Sequence, residues 1–167
     1  MTISSTPDLV GFNTAQGCVM PGAHREVISG VGATRTLKAG ESGALCLLDR
    51  ASGVVYTLPD PVLGMEFEFH ATVAVTSNAY KVITNAASVF LTGSVMGGSL
   101  TVADSGDVFQ ANGTTHVSVS MAGSTTGGLV GTRLKFTAIS ATQWAVTGGY
   151  VGSGTLADPF ATSDRKS

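Results

Sequence analysis

The chain has 167 residues, a formal net charge of −2 and a mean hydropathy of +0.31. Charged residues make up 12% of it, against about 25% in an ordinary globular chain. The length suffices for one domain with a real core, and the slightly acidic balance excludes the basic patch that a nucleic-acid partner requires. A surface so poor in charge predicts burial against a partner, and therefore an assembly component before an enzyme.

Residues 1–33 read as an extended arm. Pro7, Gly11, Gly17, Pro21, Gly22, Gly30 and Gly32 interrupt them too often for a long helix or strand. Apolar residues nevertheless recur, and Leu9, Val10, Phe12, Val19 and Met20 are the candidate anchors for pockets on a partner such as a neighbouring subunit. A strand-and-loop cover on the domain's own core is the alternative reading of the arm. The start of the chain lacks a basic stretch followed by an apolar core, so no secretory signal is predicted. Cys18 and Cys46 make a poor disulfide framework. Cys46, inside the apolar run 44–48, is expected to be a buried free thiol.

Residues 34–151 alternate short strand-like runs with Gly, Ser, Asn and Asp turns. In 65–76, Met65, Phe67, Phe69, Ala71, Val73 and Val75 alternate with Glu66, Glu68, His70, Thr72, Ala74 and Thr76, the period of a strand with one buried face. Val117, Val119 and Met121 repeat the pattern, as do Leu134, Phe136 and Ala138, with Trp144 and Val146 beyond a turn. Shorter strands are expected at 44–48, 54–58, 80–84, 90–95, 99–102 and 107–110. Turn phrases such as Arg50-Ala51-Ser52-Gly53 and Asn112-Gly113 separate them. The expected fold is all-β, an antiparallel sandwich or barrel of jelly-roll type. Long charge-free stretches at 82–103 and 108–132 are broken by polar residues and glycine, so no membrane span is expected. Residues 152–167 read as a flexible tail, with Leu156 and Phe160 as possible anchors on a partner.

Little catalytic chemistry emerges. Glu68 and His70 share a strand face but lack a nearby third ligand, so a solvated polar face is the simpler account and no metal site is predicted. Glu66 and Glu68 are paired carboxylates of the kind a glycosidase uses, and equally of the kind that keeps an outer face wet. Gly30-Val31-Gly32 starts like a dinucleotide fingerprint, but Arg35 stands where the third glycine belongs. No Gly-x-Ser-x-Gly elbow occurs. Neither cofactor nor enzymatic activity is expected. Asn112-Gly113-Thr114 is formally a glycosylation sequon and reads better as a tight turn.

The order of these β phrases carries a resemblance. Arg35-Thr36-Leu37-Lys38-Ala39-Gly40-Glu41-Ser42-Gly43 leads to Val54-Val55-Tyr56-Thr57-Leu58-Pro59, then to Gly64-Met65-Glu66-Phe67-Glu68-Phe69 and Thr76-Ser77-Asn78. Gly113-Thr114-Thr115-His116-Val117, Ala141-Thr142-Gln143-Trp144 and Gly152-Ser153-Gly154-Thr155 follow. Over about residues 34–160 the chain resembles the decoration, or cement, proteins of tailed bacteriophages. That resemblance implies a homotrimer at three-fold positions on the outer capsid surface of the virion. It implies the major capsid protein as partner, assembly in the bacterial cytoplasm, and no role for nucleic acid or membrane. The alternative is a tail, fibre or carbohydrate-binding β-domain for host attachment, for which the sequence offers only Trp144, Tyr56, Tyr80 and Tyr150 as further sugar-stacking rings.

Overall fold

Each alternating run lays its apolar residues on one side of the backbone, and burial follows when two such sides meet. The computed structural model describes residues 24–103 and 105–162. Seven strands form one sheet in the order β1 (Val27–Ile28), β3 (Leu45–Leu48), β5 (Glu66–Ala71), β10 (Arg133–Ser140), β11 (Gln143–Gly152), β7 (Phe90–Ser99) and β8 (Gly106–Asn112). Five form the second: β12 (Phe160–Ala161), β9 (Ser118–Met121), β6 (Tyr80–Ile83), β4 (Val54–Thr57) and β2 (Thr34–Thr36). The architecture is the expected all-β sandwich, and the one helical turn among the described residues is a 3-10 turn at Ala39–Glu41.

The sheets are mixed rather than purely antiparallel. From β1 to β6 the chain alternates between sheets at every strand, so β1, β3 and β5 are parallel neighbours in one sheet and β2, β4 and β6 in the other. The turn after β3 shows how. Gly53, at φ +79, donates to the Arg50 carbonyl at 2.9 Å, and its missing Cβ would lie 2.6 Å from the Ala79 carbonyl oxygen. The chain reverses there and crosses to the opposite layer, so the crossover that parallel pairing requires is itself a strand. Beyond β6 the ladders are antiparallel except for β11 against β7.

The core lies between the layers. Tyr56 packs edge-on to Phe69, and Phe69 edge-on to Phe136, both at 5.3 Å, and Trp144 lies 6.0 Å from Phe67. Tyr56, Tyr80 and Tyr150 are buried and donate their hydroxyls to the carbonyls of Leu47, Val73 and Ala157 at 3.1, 2.9 and 2.9 Å. Each hydroxyl thus satisfies its own buried group and holds a neighbouring segment against the sandwich. Cys46 is a free thiol with no exposed surface, as expected, and burial pushes its pKa up to about 12.

The C-terminal segment departs from the expected tail. Leu156 and Phe160 are buried in this domain's own core and are not free anchors. The Tyr150 hydroxyl on Ala157 and the pairing of Phe160 with Val119 bring the segment back. The arm reading also met structure at its end: Val27–Ile28 adds a parallel strand beside β3, with Ile28 buried.

Candidate interaction surface

The outer face of the seven-stranded sheet is divided in charge. Register places His70, Arg133, Gly149, Met96 and Val108 in one row, and Glu68, Lys135, Thr147, Ser94 and Gln110 in the next. The β5–β10 half is charged and paired internally. Glu68 accepts from Arg25 at 2.5 Å and from the Arg133 guanidinium on its other oxygen, while Lys135 meets Glu66 at 2.7 Å. Arg25 also donates to the Gly43 and Ala44 carbonyls at 2.9 and 3.1 Å, which fixes the incoming chain to the start of β3.

Glu68 is therefore not the solvated strand residue that the alternation predicts. It is buried between two arginines, and its carboxyl is held below the ordinary value, chiefly by the Arg25 hydrogen bond, with Arg133 adding and burial opposing. A general acid needs the opposite shift, so this carboxylate does not suit the glycosidase reading of the Glu66–Glu68 pair. A depressed carboxyl stabilises the fold above its unfolded pKa and loses that contribution as pH falls through the folded value. Glu68→Gln is expected to flatten the fall in stability below the unfolded value of 4.5. Urea midpoints across that range test this, and an equally steep fall in the variant would place the acid lability elsewhere.

The β11–β7–β8 half is different. Its three strands carry one charged side chain, Asp107. Met96 and Val108 face each other across the β7–β8 ladder at 66% and 61% exposure, with Leu100 and Val102 exposed in the connection. Between this apolar edge and the charged half runs a groove of about 550 Å³. Gly97, Gly98, Gly148 and Gly149 line it, so its floor is mostly backbone, with Arg133 and Lys135 on one bank and Met96 on the other. A second apolar patch lies at the opposite end of the sandwich. Val62 and Leu63 are exposed before β5 and Ile139 at the end of β10, joined where the Gly64 amide donates to the Ala138 carbonyl at 2.9 Å.

The sequence-derived anchors Leu9, Val10, Phe12, Val19 and Met20 lie outside the described residues, as does Cys18. Asn112 forms the expected turn: its side-chain oxygen accepts from the Thr114 and Thr115 amides at 3.0 and 2.9 Å. That turn carries the chain to the other sheet and is not a hairpin. Gly30 donates to Asp49 at 2.7 Å in a surface loop, away from any helix. Among the described residues no group of three or more His, Cys, Asp and Glu is placed to hold a metal. Sequence reasoning missed the groove, Arg25 and the Met96–Val108 edge; the repeated glycines at 97–98 and 148–149 inside strand-like runs were their available signal.

No family model matches the sequence, and neither a curated protein nor a solved structure matches it.

Proposed function

We propose that this chain decorates and stabilises a bacteriophage capsid, clamping neighbouring copies of the major capsid protein as a trimer at three-fold positions. The observation that carries the reading is the distribution of exposed apolar side chains. Apart from Val27, Val73 and Val130, those among the described residues gather in two separate patches, around Met96 and Val108 and around Val62, Leu63 and Ile139, on a chain with few charges. Two separate patches suit a subunit that touches two neighbours at once, and linking weak contacts raises their combined strength through effective concentration. The resemblance to decoration proteins supports the same role. The arm residues Leu9, Val10, Phe12, Val19 and Met20 supply the capsid grip.

Host attachment through sugar stacking fits less well. Trp144, Tyr56, Tyr80 and Tyr150 are all buried, and stacking needs an open ring face.

Deletion of residues 2–20 is expected to leave a folded domain that no longer cosediments with capsids. Retained full binding would end the arm-grip reading. The solution mass provides the companion measurement, with three times 16.8 kDa expected.

A further inference from the structure

We infer that Asn112-Gly113 is a latent site of self-modification. The arch between β8 and β9 holds the pair unreactive, and opening of the arch lets the backbone attack its own side chain and convert Asn112 to isoaspartate. The inference is independent of the capsid reading, because it needs only this chain and water.

The chemistry is intramolecular. The Gly113 nitrogen gives up its proton and bonds to the Asn112 side-chain carbonyl carbon. The Cγ–Nδ2 bond breaks, the amide leaves as ammonia, and a succinimide ring closes. Water then opens the ring, with nothing oxidised or reduced. Opening at the side-chain carbonyl gives aspartate. Opening at the backbone carbonyl gives isoaspartate, in which the main chain runs through the former side chain. Glycine in the second place puts no Cβ beside the attacking nitrogen, so the pair is sterically open to this reaction. Asn112 itself is exposed, so water reaches it.

The closed arch opposes the first step at both reacting groups. Gly113 is buried, and its amide donates to the Leu91 carbonyl at 2.9 Å, which engages the nucleophile. Its carbonyl accepts from the Gln143 side chain at 3.1 Å. On the other side, Asn112 Oδ1 accepts from the Thr114 and Thr115 amides at 3.0 and 2.9 Å. Nδ2, the leaving group, donates to the Thr115 hydroxyl at 2.7 Å. The nitrogen and the side-chain carbon therefore meet only after several hydrogen bonds have opened together.

The same arch fastens the end of the fold. The Leu91 amide donates to the His116 carbonyl at 2.7 Å, and the His116 ring stacks on Phe160 of β12 at 5.6 Å. Isoaspartate adds a main-chain atom and takes the accepting oxygen into the backbone, so the arch cannot close again on Leu91 and β12 loses its support. Aspartate keeps the original skeleton, and a carboxylate oxygen accepts the same amides.

Incubation of the full chain at mildly alkaline pH, folded and in guanidinium chloride, tests this. Tryptic peptide 82–133 is followed by mass for the change from amide to acid, placed by fragment ions, and isoaspartate is counted by enzymatic methylation. Conversion at Asn112 is expected to be at least about tenfold slower in the folded chain. Thr115→Val, which frees Nδ2, is expected to speed the folded reaction severalfold and leave the unfolded rate unchanged. The refolded isoaspartyl chain should show a lower urea midpoint than the parent, and Asn112→Asp the parent's own. Equal rates in the folded and unfolded chain would overturn the inference. So would a folded rate indifferent to Thr115→Val, or an isoaspartyl chain that refolds to the parent's midpoint.

Discussion

Trp144→Ala is expected to destabilise the domain by about 3–5 kcal/mol, the range for removing a large buried aromatic. The side chain has no exposed surface, lies 6.0 Å from Phe67 and stands between the layers, where its backbone pairs with Leu91 near the start of the β11–β7 ladder. A loss of this size is a large fraction of a domain's whole stability, so the variant should be marginally folded at room temperature. Trp144→Phe separates two contributions. Among the described residues the indole Nε1 finds no hydrogen-bond partner, and an unpaired buried donor costs about 1–3 kcal/mol. Phenylalanine loses contact area but removes that donor, so it should cost less than half as much as alanine. Urea unfolding of both variants decides the matter. A phenylalanine variant as unstable as the alanine variant would mean that the indole nitrogen is in fact satisfied.

Gly93→Ala is expected to lower the melting temperature by about 6–12 °C, which corresponds to about 3 kcal/mol in a chain of this length. Two penalties coincide. Gly93 has φ +104, a conformation that side chains rarely adopt, and a Cβ there would lie 2.4 Å from the Val146 carbonyl oxygen. Both the glycine and Val146 belong to the β7–β11 ladder, so neither backbone can withdraw without breaking pairing. Gly98→Ala on the same strand is the control. It meets nothing within 4 Å and should fall within about 0.5 kcal/mol of the parent. Equal melting temperatures for the two variants would show that β7 does not approach β11 in this register.

The strands most legible in the sequence were those with one dry face and one wet one. Phe67, Phe69, Leu134 and Phe136 point inward as the period of two requires. Their sheet partners were not legible. Turn residues report that the chain reverses, but the same Ser-Gly or Asn-Gly chemistry serves a hairpin within one sheet and an arch between two. Parallel pairing therefore escaped a reading that took each turn as a hairpin. Glycine misled in a second way. Separate strands were expected at 90–95 and 99–102, on either side of Gly97 and Gly98, yet β7 runs unbroken from Phe90 to Ser99. Gly97 is small because the Tyr150 ring, 2.6 Å from where its Cβ would be, occupies that space. The Gly-Ser phrase at 152–154 likewise looked like the start of a free tail, because nothing in the local sequence indicates the Tyr150 hydroxyl that holds Ala157.

For the candidate interaction surface, composition showed only a surface low in charge, while the place of its apolar residues required register. Met96 and Val108 are far from conspicuous as single residues, and only the antiparallel ladder sets them opposite each other. Glu68 shows the converse. Its strand parity was correct, but exposure depends on what lies above the face, and Arg25 reaches it from a segment 43 residues away.

The alternation of β1 to β6 between layers also bears on how the chain acquires its fold. No strand in that half can pair with its immediate successor: Val27 must wait for Leu45, and Val55 for Lys81. Each such pairing closes a loop of roughly twenty residues before any ladder bond forms, and that entropy is lost in advance of the gain. Between β10 and β11 only Ala141 and Thr142 intervene, which makes that hairpin the least costly nucleus in the molecule. It follows β5 and β7 in the chain, so both strands are synthesised before the template onto which they register has been made.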